Sequence, residues 1–250
     1  MSYFKDFPIV DYKFGDETNP DRFRDISIYA DVLDTIKGDV SFYQKYYIGA
    51  EERPDQVSFK LYKTPSLQWT FFLLNDHLRE RGWPLTNREL SKFAMAQYPY
   101  VIITTRDPLY DRFRIGQEVI GTVSGVRGII SHRHLDLGQV AIAGADGEFQ
   151  PGEIVNSYTI VDTPFKAINT IESITCISNG PEYLAAKYYI NSSGDILDLN
   201  PSIGPGPFDI EVTYYEELST KNDELKSINV LKPESVNSIV RAFKQAISIE

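Results

Sequence analysis

Residues 46–85 read YYIGAEERPDQVSFKLYKTPSLQWTFFLLNDHLRERGWPL, and the fold of this chain turns on that stretch. Tyr46, Tyr47 and Ile48 are β-prone and stop at Gly49, which permits a turn. Glu51, Glu52 and Pro54 announce a helix: Pro54 suits the first turn, where its missing N–H costs nothing, and the acids suit the positive end of the helix dipole. Val57 and Leu61, four apart, share a face. Thr64-Pro65-Ser66 breaks this helix and starts another, in which Trp69, Phe72 and Leu73 follow the i, i+3, i+4 rule and Phe71 and Leu74 broaden the stripe. Asn75-Asp76 ends it. Gly82-Trp83-Pro84-Leu85 reads as a turn into a short returning strand, because Pro84 disfavours a helical Trp83. The expected order is β-α-α-β. A unit of ~40 residues leaves much of its surface uncovered, so its Trp, Phe and Leu side chains are expected to pack on the rest of the chain or on another subunit.

Tyr-x-Ile, a turn, a helix ending in Leu61-Tyr62, a helix containing Trp69 and then Asn75 follow in an order that resembles the LysM fold. More closely, Tyr47, Glu52-Arg53-Pro54, Leu61-Tyr62, Pro65, Trp69, Leu74-Asn75 and Trp83-Pro84-Leu85 resemble the baseplate wedge protein encoded by gene fifty-three of contractile-tailed phages, a family that carries a LysM-like domain. The opening YFKDFPIVDY (3–12) with Asp25-Ile26 resembles the same family. So does Tyr215…Asn222-x-Glu224-Leu225-Lys226-x-Ile228…Pro233 with its closing helix. Ile28-Tyr29-Ala30 departs from the basic pair of that pattern, and Lys226 stands where Arg is expected, keeping the charge but losing the planar fork. The resemblance implies a structural subunit of the virion tail baseplate, made in the host cytoplasm and present in multiple copies in a hexagonal ring. It implies contacts with the wedge core protein and the lysozyme-like sheath-initiating subunit, a part in joining neighbouring wedges, no cofactor and no catalysis. The LysM likeness by itself implies an alternative, a carbohydrate (peptidoglycan)-binding module. Gly49-Ala50-Glu51-Glu52 stands where sugar-binding LysM modules usually carry a Gly-Asp-Thr-type loop.

Composition narrows the classes. At 250 residues, with 24% charged and 42% apolar residues, the chain has the make-up of a soluble globular protein of one large domain or two small ones. It has no run of ~18 apolar residues that would span a membrane. The start MSYFKDFPIVDYKFGD lacks the basic and apolar regions of a signal peptide. The single Cys176 rules out an intrachain disulfide and fits a reducing cytosol. A net charge of −10 argues against a nucleic-acid surface, which needs clustered Lys and Arg. The 16 Tyr and 14 Phe suit surfaces that are both wet and buried, as interfaces are.

Around the central stretch the chain reads as α+β in four parts. Residues 1–44 form an aromatic arm with Phe4, Phe7, Tyr12, Phe14 and Phe23. Disordered leaders are poor in aromatics, so this arm is expected to dock. It ends in a short helical spacing of Ile28, Val32, Ile36 and Val40. Residues 45–99 hold the LysM-like module and a further helix with Leu90, Phe93, Ala94 and Ala96. Residues 100–214 change to short β-runs broken by Gly, Asp and Asn, the texture of an inserted small barrel or sandwich. Within them Phe113-Arg-Ile-Gly116-Gln117-Glu118 and Phe149-Gln-Pro-Gly152-Glu153 form a faint repeat, each a turn entering a strand. Residues 215–250 give a strand at Ile228–Leu231 and an amphipathic helix with Val236, Ile239, Val240, Phe243 and Ile247 on one face.

The residues of possible chemistry do not assemble. His132 and His134 would point to one side of a strand, but a metal site needs a third ligand such as Asp136 or His77 at no recognised spacing. Asp146-Gly147-Glu148 and Glu153 lack the alternating acids of a calcium hand. The adjacent pairs Glu51/Glu52 and Glu216/Glu217 diverge on a helix, which does not suit paired acid and base work. Gly121-x-x-x-Gly125 lacks the Gly-Lys-Ser/Thr of a phosphate loop, and Ser124 lacks an elbow pattern. Cys176 lies in an apolar run. The expected functional residues are therefore docking side chains, with none catalytic, cofactor-binding or metal-ligating: Phe4, Phe7, Tyr12, Tyr47, Arg53, Pro54, Tyr62, Trp69, Asn75, Trp83 and Phe243.

Overall fold

A computed structural model describes residues 9–13, 15, 20–24, 40–160 and 168–248. The expected helical spacing from Ile28 to Ile36 lies outside the described residues, as do Phe4 and Phe7. The chain divides into two compact units, one of residues 1–86 with 221–250 and one of residues 87–220, the second inserted in sequence into the first. Both mix helices and strands.

In the first unit, β1 (Ile9–Tyr12) and β2 (Asp21–Arg24) pair antiparallel, with Ile9 opposite Arg24 and Tyr12 opposite Asp21. A 3-10 turn at Val40–Phe42 leads into β3 (Tyr43–Tyr47), followed by α1 (Pro54–Tyr62), a 3-10 turn at Pro65–Leu67, α2 (Trp69–Leu74) and α3 (Asp76–Arg81). Local chemistry sets each boundary. The turn before α1 closes when the Gly49 N–H donates to Glu52 Oε2 at 2.8 Å. A Cβ on Gly49 would sit 3.1 Å from that carboxyl group, and the left-handed residue of the turn is Glu51, with φ 63°. Gly49 therefore supplies space for a close approach rather than an unusual φ. Pro54 occupies the first turn of α1, and the Arg53 N–H donates to Gln56 Oε1 at 3.0 Å. The helix stops at Lys63, left-handed at φ 59°, whose N–H returns to the Phe59 carbonyl. The Thr64 hydroxyl then accepts the Ser66 N–H and opens the 3-10 turn.

Two details differ from the sequence expectation. Asn75 ends α2, but α3 begins at the next residue. And 82–85 is not the returning strand. Leu85 donates its N–H to Asn222 Oδ1 at 2.7 Å and accepts from Asn222 Nδ2 at 3.0 Å. The strand that pairs antiparallel with β3 is β13 (Ser227–Leu231), with Ser227 opposite Tyr47 and Leu231 opposite Tyr43. Burial explains the choice: β13 sends Ile228 and Val230 into a core with Ile48, Val57, Phe71, Leu78 and Leu225, whereas Pro84 has no N–H to give to a ladder. After β13, α6 (Val236–Ser248) packs Val236 and Ile239 against Leu74 and Leu231.

The second unit opens with α4 (Asn87–Gln97), which buries Leu90 and Ala94. Its strands are β4 (Val101–Thr104), β5 (Glu118–Gly121), β6 (Arg127–His134), β7 (Gln139–Ala143), β8 (Ile154–Ile160), β9 (Ile168–Thr175), β10 (Ser178–Pro181), β11 (Ala186–Ile190) and β12 (Ile210–Thr213); α5 (Tyr214–Glu224) follows. Seven strands form an antiparallel sheet in the order β10-β4-β7-β6-β5-β8-β9, and β11 and β12 form a separate pair. The seven-stranded sheet closes on itself. Its end strands β9 and β10 are separated only by Cys176 and Ile177. The Cys176 N–H donates to the Glu153 carbonyl beside β8, and the Ile177 N–H to the Thr104 carbonyl at the end of β4. Consecutive residues thus bond opposite ends of the sheet, the geometry of a small barrel rather than a sandwich.

Ile103, Val119, Ile130, Val140, Ile142, Val155 and Ile174 fill the barrel core, together with Leu109, Phe113, Phe149 and Cys176. The faint sequence repeat is two equivalent turns. Phe113 and Phe149 are both buried, and Gly116 and Gly152 take φ of 87° and 89°. Gln117 Oε1 and Glu153 Oε1 each accept a backbone N–H three residues back, from Arg114 and Gln150, both at 2.6 Å. A positive φ at the third turn position is the type II requirement that Gly meets. The two turns feed β5 and β8, which are neighbours in the sheet.

Candidate docking surfaces

The central stretch builds a tight polar knot before it presents anything outward. Glu52 Oε2 accepts from the Tyr46 hydroxyl at 2.9 Å, Lys60 Nζ donates to Glu52 Oε1 at 3.0 Å, and the Trp83 indole N–H donates to the Glu52 carbonyl at 2.7 Å. Burial pushes the Glu52 carboxyl up, but hydrogen bonds from the Gly49 N–H, Lys60 and Tyr46 outweigh it and hold it below the usual carboxylate range. Glu52 is thereby committed to joining the turn, α1 and Trp83.

Several expected docking residues do internal work in the first unit. The Tyr62 hydroxyl donates to the Leu231 carbonyl at 3.0 Å, its ring stacks on Phe71, and burial pushes its phenol up to about 12. Trp69 packs on the buried Phe243, centroids 5.3 Å apart. Trp83 packs against Phe71 at 5.9 Å and Phe72 at 6.0 Å. Asn75, only 3% exposed, donates from Nδ2 to the Phe71 and Asn229 carbonyls and accepts the Asn229 N–H on Oδ1. Its amide matches both backbone groups of Asn229, as the next residue of a sheet would. Pro54 is half-buried at the start of α1.

The outward-facing residues of the set are Tyr12, Tyr47 and Arg53. Tyr47 is 65% exposed and Tyr12 56%. Arg53 is exposed and paired with Asp55. Also exposed are side chains that carry no docking signal of their own in the sequence: Ile9 and Val10 on β1, and Phe59 on α1. Phe59 was readable in principle. It lies two residues past Val57, roughly on the far side of a helix whose Val57–Leu61 face is buried.

In the second unit the two histidines do share one side of β6, with ring centroids 5.0 Å apart. His132 Nε2 lies 3.1 Å from Oε1 of the buried Glu182, and His134 Nε2 lies 3.0 Å from the Tyr214 hydroxyl. Burial first, and His132 second, lower the His134 pKa. Among the described residues, no group of three His, Cys, Asp or Glu is placed to hold a metal ion. Glu153, 3% exposed, accepts the N–H groups of Val123, Ser124 and Gln150 and the Ser124 hydroxyl. Burial raises its carboxyl, the four donors outweigh that, and it titrates below the usual range. Gly121 is required beside it: a Cβ there would lie 2.3 Å from Ser124 Oγ and 2.7 Å from Glu153 Oε2. The 121–125 glycines thus serve an internal staple. The Cys176 thiol, buried in the core, is pushed up to about 11 by burial and then by Glu153.

The segment with the greatest density of these features, from β1 through α1–α3 to β4, is also the one with a recognisable counterpart.

Residues 12–109 match the family model of base plate wedge protein 53.

The match takes in less than half of the 250-residue chain. It covers β3, α1–α3, α4 and β4 and leaves β13, α6 and most of the barrel outside. The wedge family is a structural component of the phage baseplate, and the aromatic module sits inside the matched span. No curated protein matches the chain. Among the described residues, no helix is long and apolar enough to cross a membrane.

Proposed function

We propose that this chain is a structural, non-catalytic subunit of a phage tail baseplate wedge, located in the virion tail, that binds neighbouring wedge proteins and helps to join wedges into a ring. The observation that carries this reading is the family match over residues 12–109. The first unit adds physical support. It holds an antiparallel strand pair, β1–β2, on which Ile9 and Val10 are exposed, and a two-stranded pair is marginal in water by itself. The partners in this reading are the wedge core protein and the lysozyme-like sheath-initiating subunit. Tyr12, Tyr47 and Arg53 are the contact side chains, with Phe4 and Phe7 as further contact candidates from the sequence alone.

The order β3, helices, β13, with the barrel inserted in sequence before the second strand, supports a LysM-like module within this subunit. The sugar-binding reading gains less from the geometry, because the Trp83 ring and indole N–H are already used inside the unit. The test is purification of tails from the phage that encodes this chain, with mass spectrometry of the baseplate fraction. The chain is expected there at a fixed ratio to the other wedge subunits, and Arg53→Glu with Tyr47→Ala should reduce its incorporation at least ~10-fold while the free chain stays folded. Absence from tails, or full incorporation of the double variant, overturns the reading or its contact residues respectively.

A further inference from the structure

The two-stranded sheet of the first unit has two outer edges, and among the described residues only one is closed. Register fixes which backbone groups point outward. Ile228 faces Tyr46, Asn229 faces Lys45 and Val230 faces Gln44. The flanking bonds Ile48 N–H to Lys226 O and Lys232 N–H to Phe42 O place the ladder bonds at the Gln44 and Tyr46 positions. Asn229 and Lys45 therefore turn their N–H and C=O groups away from each other, and Tyr47 turns the same way as Lys45. On the β13 side, the buried Asn75 amide takes both Asn229 groups at 2.8 Å. On the β3 side, the N–H and C=O groups of Lys45 and Tyr47 have no partner among the described residues, and both side chains are exposed.

We propose that the outer edge of β3 takes up an extended polypeptide strand from a partner, with a carboxylate facing Lys45 and a β-branched or aromatic side chain facing Tyr47. This deepens the docking reading above and rests on it for the source of the strand. The occupant follows from the chemistry. Two donors and two acceptors alternate along one line at strand spacing, which matches an extended polypeptide backbone. Lys45 and Tyr47 project from the same face, so the incoming residues opposite them lie two apart and also share a face. Cross-strand pairing favours an acid against lysine and a β-branched or aromatic residue against tyrosine. A second β3 is the disfavoured occupant, because symmetric pairing about its centre sets Lys45 against Lys45.

The test uses the purified full chain and amide-resolved NMR. The probes are a synthetic strand peptide carrying Asp with Val two residues away, its counterpart with Lys in place of Asp, and an N-methylated Asp peptide that cannot donate. In the free chain the Lys45 and Tyr47 amides should exchange at least ~10-fold faster than those of Gln44 and Tyr46. The Asp peptide should protect them with a Kd on the order of 1 mM or tighter. The Lys peptide should bind more weakly, and the N-methylated peptide should not bind. Tyr47→Pro removes an N–H that the sheet does not use and should abolish uptake while the Tyr46 and Ile228 amides stay protected. Lys45→Glu, which leaves the backbone intact, should reverse the preference between the two charged peptides. Lys45 and Tyr47 amides already protected in the free chain overturn the inference. So does an Asp peptide without effect at its solubility limit, or a Lys45→Glu chain with unchanged preference. Strand uptake by a chain that is absent from tails overturns the baseplate reading alone; a chain present in tails whose edge takes no strand overturns this inference alone.

Discussion

The barrel of residues 87–220 and the two-stranded sheet of the first unit face the same physical question, how to treat the backbone at the end of a sheet, and answer it differently. The barrel removes its ends by making Cys176 and Ile177 bond to opposite sides of the closure. Three of its turn amides, those of Val123, Ser124 and Gln150, are drawn onto one buried carboxylate, Glu153. The first unit closes one edge with a side-chain amide, Asn75, and leaves the other exposed. A closed barrel has little backbone to offer a partner. A half-closed sheet assembled from distant parts of the chain has a specific place to offer, and it is this unit that carries most of the family match.

The largest expected effect tests whether the two units are separate. Phe71→Ala and Phe113→Ala each empty a fully buried ring site, a loss of about 3–5 kcal/mol. Hydrogen exchange should show Phe71→Ala stripping protection from β3 and β13 while the barrel strands keep theirs, and Phe113→Ala doing the reverse. Loss of protection in both units from either change would break the comparison. Asn75→Ala comes next. It leaves the Asn229 N–H and C=O without their edge partner, at a cost of about 2–3 kcal/mol read from urea unfolding of the first unit.

Glu153→Gln should cost the barrel about 1–3 kcal/mol, since a charged acceptor of four donors becomes a neutral one. The sign of its pH dependence follows from a carboxyl held below its ordinary value in the folded state. That stabilisation is fully present above the ordinary value of 4.5 and is lost as pH falls through the lower folded value. Wild-type barrel stability should therefore drop between about pH 4.5 and the acid limit, and Glu153→Gln should show a shallower drop in thermal melts across that range. Tyr62→Phe removes the hydroxyl with its bonds to the Leu231 carbonyl and to Thr70, about 1 kcal/mol from the first unit. Arg53→Glu, on an exposed side chain, should change melting by less than about 0.5 kcal/mol, while incorporation into tails falls; unchanged incorporation would remove Arg53 from the docking surface.

Much of the architecture was legible because its signals are local. Pro54 at the start of α1, Thr64-Pro65 at the break, the Trp69-Phe72-Leu73 spacing and the Phe-x-x-Gly turns before β5 and β8 each act over three or four residues. Pairing was less legible. Gly82–Leu85 carries good extended-chain signals, yet Asn222 takes the N–H and C=O of Leu85 and β13 takes the place beside β3. Of the aromatic and polar anchors singled out in the central stretch, Tyr62, Trp69, Asn75 and Trp83 turned inward, because an aromatic side chain has the same composition signature whether it meets its own core or a partner.

By itself, the sequence determined where the helices around Pro54, Thr64-Pro65 and Trp69 start or break, the mixed class of the fold, the aromatic character of the first unit and the similarity to the wedge family. Those follow from backbone preferences and spacings that neighbours in sequence impose. Tertiary structure alone decided that Ser227–Leu231 completes the first sheet, that the β-runs close into a barrel at Cys176 and Ile177, and that, among the described residues, Asn75 seals one edge of that sheet while Lys45 and Tyr47 leave the other open. A hydrogen-bonding group records no partner in the sequence; the partner is chosen by whichever arrangement buries the most apolar surface without leaving a polar group unsatisfied.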